Sequence, residues 1–192
     1  MFQVRLHGRG GQGVVTSAEL LSVAAFLDGH EAQAFPSFGS ERMGAPVMAF
    51  CRVADVPIRL REPVSRPDAV VVFDPTLLRH VDLFSGLSDD GYVVVSSTHP
   101  VDALGLTELE GGTAPDRVRT VPGAEIARLH TGRALPNAAL LGALAALTGV
   151  VTIDALVEAV RQRFRAGVAE GNVAAARAGF EYLAPAGEVR HA

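Results

Sequence analysis

Residues 2–27 read FQVRLHGRGGQGVVTSAELLSVAAFL and hold the clearest fold signal in the 192-residue chain. Phe2, Val4 and Leu6 alternate with polar residues, which predicts a half-buried strand. A cluster rich in glycine follows. Apolar positions that recur every three or four residues then predict a helix from Val14 to Leu27. A strand, a glycine loop and a helix in this order are typical of an α/β domain.

The same alternation continues along the chain. Further strands are predicted at residues 31–35, 46–53, 69–73, 92–95 and 118–121, with 46–53 and 57–60 forming an antiparallel hairpin. Short helices are predicted at 75–80 and 122–130, and longer ones at 137–147, 152–164 and 168–183. Helix 137–147 is apolar on nearly every side, so we expect it to be buried.

These elements predict an α/β fold with three layers, α/β/α, a mixed and mostly parallel sheet, and a helical C-terminal segment. The length suits a single domain over residues 1–192. Within it, 1–135 is expected to be the α/β part, 136–183 the helical part and 184–192 a tail.

Composition excludes several classes of function. The net charge of −4 argues against nucleic acid as a partner. All 17 basic residues are arginine, so the lysine required for Schiff-base chemistry or a P-loop is missing. Cys51 is the only cysteine, which excludes an intrachain disulfide and a four-cysteine iron–sulfur site within this chain. The histidines show no paired spacing, so no metal site is expected.

Location and association can also be predicted. The longest apolar stretch spans about 14 residues where a membrane span needs about 20, and no targeting segment is apparent. We therefore expect a cytoplasmic protein without a membrane contact. The mean hydropathy of +0.26 is high for a soluble monomer. Together with the apolar helix 137–147, it predicts that partner chains cover part of the surface.

The glycine cluster is the first candidate site, comprising Gly8, Arg9, Gly10, Gly11, Gln12 and Gly13. Backbone amides in such a turn, together with the N-terminus of the next helix, can bind an anion. Three interpretations stay open from the residues alone: a dinucleotide site, a tight strand–helix connection, and a phosphate or subunit contact. The dinucleotide site requires an acidic residue at the end of the second strand. Glu31 is at the right distance but opens that strand.

The second candidate site is the loop of residues 36–46, PSFGSERMGAP, which contains Glu41 and Arg42. Arg42 could clamp a phosphate or carboxylate, although surface pairing of both residues is the more common outcome for such a loop. Asp74 ends a buried strand and could also cap the following helix. No set of residues supplies a complete catalytic apparatus.

Four segments together resemble one family. They are HGRGGQGVVTSAELLSVAAF, SFGSERMGAP, VVVFDPTLL and PNAALLGALAAL, and in this order they are similar to the gamma subunit, or equivalent fused domain, of the pyruvate:ferredoxin oxidoreductase group of 2-oxoacid oxidoreductases. The resemblance covers residues from about 3 to about 182. It departs at Phe38, Ser40 and Met43, where the family usually has tyrosine, proline and a second arginine.

The resemblance implies a subunit without a complete active site of its own. Enzymes of this group oxidatively decarboxylate a 2-oxoacid with coenzyme A, giving an acyl-CoA and CO2. Sister subunits of alpha, beta and delta type carry thiamine diphosphate, a divalent metal and iron–sulfur clusters, and pass electrons to ferredoxin or NAD. This chain is then expected to contribute to assembly and to bind coenzyme A through the glycine cluster, Glu41 and Arg42. The alternative is a stand-alone Rossmann-like domain that binds NAD or FAD.

Overall fold

A computed structural model describes residues 1–37, 44–107 and 113–184. The strands are β1 (Phe2–Arg9), β2 (Glu31–Pro36), β3 (Pro46–Ala54), β4 (Ala69–Val72), β5 (Tyr92–Ser96) and β6 (Val118–Val121). The helices are α1 (Val14–Leu27), α2 (Gly123–Thr131), α3 (Asn137–Thr148), α4 (Ile153–Arg163) and α5 (Ala166–Leu183). Short 3-10 helices occur at Pro75–Arg79, Asp102–Leu104 and Pro115–Arg117.

The six strands form one mixed sheet in the order β2-β3-β1-β4-β5-β6. Strands β1, β4, β5 and β6 are parallel, whereas β3 is antiparallel to both β1 and β2. The predicted α/β fold with a mixed, mostly parallel sheet is therefore confirmed. The hairpin between 46–53 and 57–60 is wrong, since residues 57–60 form no strand. Strand β3 pairs with β1 along one edge and with β2 along the other. Neither edge is therefore free to pair with residues 57–60.

One face of the sheet is covered by α-helices. Val4 and Leu6 of β1 point to this side and lie in one apolar core with residues of α1, α3, α4 and α5. Helix α3 packs closely on α5, and a Cβ atom at Gly142 would overlap the backbone carbonyl of Ala176. The side chains at 138–141 and 143–145 of α3 are at most 3% exposed and Gly142 is buried, so the predicted burial of this helix is confirmed. This chain itself buries α3 as far as Ala145, so that part of the helix offers no apolar surface to partners.

In place of the second α-helical layer that the sequence predicted, the opposite face is covered, over the described residues, by 3-10 helices and loops. Val70, Val72, Val93 and Val95 form a second apolar cluster there. Two buried arginines on the same side hold the loops in place. The guanidinium of Arg5 donates hydrogen bonds of 2.8 and 2.7 Å to the carbonyls of Leu83 and Ser85. That of Arg52 donates one of 2.6 Å to the carbonyl of Glu62.

The strand directions bring several loops to one edge of the sheet. The carboxyl ends of β1, β4, β5 and β6 lie together because these strands are parallel. Strand β2 also ends there, since it runs in the direction of β1 with β3 between them. Ligands of open α/β sheets bind at this edge. None of the helices in the described ranges is long and apolar enough to cross a membrane.

Candidate functional site

The glycine loop connects β1 to α1 through two residues in the left-handed region of backbone space. Gly11 has a φ of 95° and Gly13 a φ of 79°, conformations that favour glycine. Gly13 caps α1, and the N–H of Ser17 donates the first helical hydrogen bond to the Gly13 carbonyl at 2.9 Å. The N–H groups of residues 14–16 precede this bond. They therefore have no acceptor within the helix and can bind an anion.

A cleft of about 420 Å³ opens beside this loop, and we call it the glycine-loop cleft. Its walls are Arg9, Gly10, Gly11, Gly13, the first turn of α1 (residues 14–16), Pro36 and Val47. The structure thus brings four of the predicted loop residues to one cleft, together with the end of β2. Two hydrogen bonds link Gly10 to the two residues that precede β3. Its N–H donates to the carbonyl of Ala45 at 2.9 Å, and its carbonyl accepts from the N–H of Gly44 at 3.2 Å.

The side chains of Arg9 and Gln12 are held by protein groups. Arg9 Nε forms a 3.1 Å salt bridge with Asp74 Oδ2, and its two terminal nitrogens donate to Thr76 Oγ1 and the Gly44 carbonyl. Gln12 Nε2 donates to the same Asp74 oxygen at 3.2 Å. Because these side chains are engaged with protein groups, we expect the loop to contact a cofactor through its backbone N–H groups. The guanidinium of Arg9 serves to fix the loop and is 30% exposed.

A second cleft of about 440 Å³, the α2 cleft, lies beyond the carboxyl ends of β4, β5 and β6. Gln12 and Asp74 form its boundary on the glycine-loop side. Its far wall carries Glu125 and Arg128 of α2, and its floor is the turn after β5, residues 96–99. In that turn the N–H of His99 donates to Ser97 Oγ at 2.9 Å.

Glu41 and Arg42 lie outside the described residues, so their place in the cleft stays a prediction. Binding of one ligand by both the glycine cluster and Arg42 requires β1 and β2 to end at the same edge of the sheet. The two strands do run in one direction, but β3 separates them. Gly44, two residues after Arg42 in the same loop, is hydrogen-bonded to Gly10.

Other candidate groups have structural roles. Asp74 accepts a hydrogen bond from the N–H of Thr76 at 3.0 Å and so caps the 3-10 helix, as predicted. Cys51 is fully buried, and burial raises the pKa of its thiol to about 12. Across the described ranges no group of three His, Cys, Asp or Glu side chains could hold a metal ion.

Sequence reasoning missed two features of this edge. The contact of Asp74 with the glycine loop joins residues more than 60 positions apart, and it follows from the β1–β4 register, which no local motif reveals. The α2 cleft was also missed. Its only signal was the polar run Ser96-Ser97-Thr98 at the end of a buried strand, followed by Pro122-Gly123 at a helix start.

The edge so far described defines a class: an α/β domain with a glycine loop whose backbone N–H groups can bind an anion, beside two clefts at the carboxyl ends of the strands. The sequence profile for pyruvate ferredoxin/flavodoxin oxidoreductase matches residues 3–182. The chain belongs to this family, as a gamma-type subunit of a 2-oxoacid:ferredoxin oxidoreductase.

Named relatives match over nearly the whole chain. Pyruvate synthase subunit PorC of Methanothermobacter thermautotrophicus is 46% identical over 95% of this chain and 96% of its own. The pyruvate/ketoisovalerate oxidoreductases common subunit gamma of Pyrococcus furiosus is 44% identical over 94% and 96%. The crystal structure of pyruvate oxidoreductase subunit PORC from Thermotoga maritima is 34% identical with a TM-score of 0.81, and covers 94% and 95%.

These matches do not support the alternative of a stand-alone NAD- or FAD-binding domain. The geometry agrees with them, because Glu31 begins β2 whereas Pro36 at its other end lines the glycine-loop cleft. Five residue steps along a strand span about 16 Å. Glu31 therefore lies at the wrong end of the strand to bind the ribose of a dinucleotide seated on the glycine loop.

Proposed function

We propose that this gamma-type subunit binds a phosphate-bearing part of coenzyme A in the glycine-loop cleft. The observation that carries the proposal is the N-terminus of α1 opening, with the left-handed glycines Gly11 and Gly13, into a cleft at the carboxyl edge of the sheet. Phosphate oxygens accept hydrogen bonds from such amides and are favoured by the positive end of a helix. Coenzyme A bears several phosphate charges, whereas a small 2-oxoacid bears one carboxylate.

The cleft is chemically suited to this group. Among the described residues no carboxylate lines this cleft, and Asp74 behind the loop is paired with Arg9. Val14, Val15 and Val47 supply apolar surface beside the amides. Such surface suits the aliphatic part of a long thiol cofactor. Arg42 is proposed to add a charged contact to the same phosphates.

The remaining chemistry is proposed to reside in sister subunits of alpha, beta and delta type. They would hold thiamine diphosphate with its divalent metal and the iron–sulfur clusters. They would also pass electrons to ferredoxin or an NAD-linked acceptor in the cytoplasm. This chain contributes to their assembly through its surface, where Phe26 and Leu129 are 72% and 80% exposed. The substrate of the whole complex is proposed to be a 2-oxoacid such as pyruvate.

Thr16 offers a charge test of the proposed site. It lies in the first turn of α1, in the wall of the glycine-loop cleft. Thr16→Glu places a carboxylate beside the proposed phosphates, while Thr16→Gln adds a side chain of the same size without charge. Glutamate at this helix position is favourable, so both variants should fold.

We expect Thr16→Glu to raise the apparent KM for coenzyme A about 10-fold, as like charges repel across the cleft. Thr16→Gln should change it by no more than about two-fold. The KM for the 2-oxoacid should stay unchanged in both. Steady-state kinetics on the assembled complex, varying one substrate at a time, measures the difference. Equal KM values for coenzyme A in the two variants would contradict the proposal.

A further inference from the structure

The carboxylate of Asp74 lies directly behind the glycine loop. Strands β1 and β4 are parallel with His7 opposite Val72, and the N–H of Phe73 continues the ladder by donating to the His7 carbonyl at 2.8 Å. This register sets the residue after β4 beside the end of β1. Asp74 is consequently brought to Arg9 at the point where the chain turns into the loop.

The two oxygens of Asp74 have different partners. Oδ1 accepts hydrogen bonds from the N–H of Thr76 at 3.0 Å and from its hydroxyl at 2.6 Å, which caps the 3-10 helix. Oδ2 accepts from Arg9 Nε at 3.1 Å and from Gln12 Nε2 at 3.2 Å. Helix capping therefore requires one oxygen, and the other is turned to the glycine loop.

The side chain of Gln12 connects the Asp74 carboxylate to the backbone of the loop. Its Oε1 accepts a 2.7 Å hydrogen bond from the N–H of Arg9, while its Nε2 donates to Asp74. The N–H of Gln12 in turn donates to the Arg9 carbonyl at 3.0 Å. Both ends of the turn are thus tied to one carboxylate oxygen. The two residues between them, Gly10 and Gly11, form part of the cleft wall.

The other side of the turn is fixed through Arg9. One terminal nitrogen of its guanidinium donates to the Gly44 carbonyl at 3.1 Å and the other to Thr76 Oγ1 at 2.8 Å. The cation therefore bridges the end of β4 and the residues that precede β3. Glycines have the largest backbone freedom of any residue, so a loop with four of them requires such anchors to keep one conformation.

The ionisation state of Asp74 suits this task. Its side chain is 15% exposed, and partial burial alone raises its pKa. The hydrogen bonds from Thr76 and Gln12 and the charge of Arg9 outweigh burial, and the pKa lies below its ordinary value. The group is thus a carboxylate at neutral pH, which can accept from every donor around it.

We propose that Asp74 is a positioning residue for coenzyme A: through Oδ2 it holds Arg9 and Gln12, and thereby fixes the backbone amides that line the glycine-loop cleft. This inference rests on the proposed function of that cleft. Asp74 itself is absent from the cleft walls and makes no direct contact there. Its effect on the cofactor passes through the loop.

Asp74→Asn separates the two tasks of the carboxylate. An asparagine keeps an Oδ1 acceptor for Thr76 and still caps the 3-10 helix. Its NH2 group is a donor and would face the donors Arg9 Nε and Gln12 Nε2. The two hydrogen bonds that connect residue 74 to the glycine loop are therefore lost. In the assembled complex we expect the apparent KM for coenzyme A to rise about 10-fold. The kcat at saturating coenzyme A and the KM for the 2-oxoacid should change by less than about two-fold.

Gln12→Ala, and the double variant that combines it with Asp74→Asn, test whether the two side chains act together on the KM for coenzyme A. A general loss of stability would not produce such coupling. If both side chains act through one tie, the double variant should raise the KM no more than Asp74→Asn alone, because interacting residues are not additive. Asp82→Asn is the matched control. Asp82 also accepts a backbone N–H, that of Ser85 at 3.1 Å, but lines neither cleft. It should leave the KM for coenzyme A unchanged.

The outcomes distinguish this inference from the function on which it rests. If Thr16→Glu raises the KM for coenzyme A but Asp74→Asn and Gln12→Ala do not, the positioning role is overturned and the cleft remains the proposed site. If none of the three raises it, both proposals are overturned. Should Asp74→Asn fail to assemble, Gln12→Ala decides alone, since it leaves the carboxylate and the helix cap in place. A normal KM in Gln12→Ala would then overturn the inference.

Discussion

The two faces of the sheet are packed by different means. On the helix-covered face the contacts are apolar and close, and Gly142 and Gly179 allow the backbones of α3 and α5 to touch. On the opposite face Arg5, His7 and Arg52 are buried within β1 and β3, and loop carbonyls accept hydrogen bonds from the two arginines. The first face supplies stability that is insensitive to pH. The second depends on the ionisation of buried groups, and neither includes the clefts at the carboxyl edge.

Gly142→Ala should cause the largest loss of stability, since it places a side chain in the close contact between α3 and α5. A Cβ atom there would overlap the backbone carbonyl of Ala176, which no side-chain rotation relieves. We expect destabilisation of about 3 kcal/mol or more. The midpoint of urea unfolding measures it.

Gly167→Ala is the matched control for that substitution. Gly167 lies in the first turn of α5, and an added Cβ would meet nothing within 4 Å. Alanine should there be neutral or stabilise the chain by up to about 1 kcal/mol through helix propensity. If both variants unfold at the wild-type urea concentration, the close α3–α5 contact does not support the fold in the way described.

On the opposite face, we expect the buried His7 to make the free energy of unfolding depend on pH. His7 is 5% exposed; burial, followed by the neighbouring charge of Arg5, lowers its pKa to about 4 from 6.5. The unfolded chain takes up a proton below pH 6.5 and the folded chain does not. Stability is therefore complete above about pH 6.5 and falls as the pH drops towards 4, by up to about 3 kcal/mol.

Urea unfolding at a series of pH values would test this. His7→Phe removes the titrating group, so the part of the slope between pH 4 and 6.5 that comes from His7 should disappear. His130→Gln is the control, since it replaces an exposed histidine of α2 and leaves the buried His7 in place. A wild-type slope in His7→Phe would show that the pH dependence arises from other groups.

Much of this fold could be predicted from local patterns. Helix α1 occupies residues 14–27 as predicted, because the glycine loop and the Asp28-Gly29 stop bracket an apolar periodic segment. Strands β4 and β5 were visible as β-branched runs. The partners of β3 were not, since pairing over long sequence distances leaves no local signal. Segment 57–60 looked like its partner, but β3 was already paired on both sides.

The candidate site could be predicted in outline only. The loop at residues 8–13 was found because glycines between a strand and a helix have a specific physical meaning. What the side chain of Arg9 does could not be inferred, as it depends on Asp74, which the β1–β4 register brings from another part of the chain. A sequence shows which residues could bind an anion but not which of them the fold has already paired.

We propose that coenzyme A binds at the carboxyl edge of this chain and at neither face of its sheet. Hydrogen–deuterium exchange of the intact complex, with and without coenzyme A, tests it most directly. We expect coenzyme A to slow exchange at the amides of residues 10–16 and to leave exchange in α3 and α5 unchanged. Unchanged exchange over residues 10–16 at saturating coenzyme A, with protection confined to sister subunits, would contradict it.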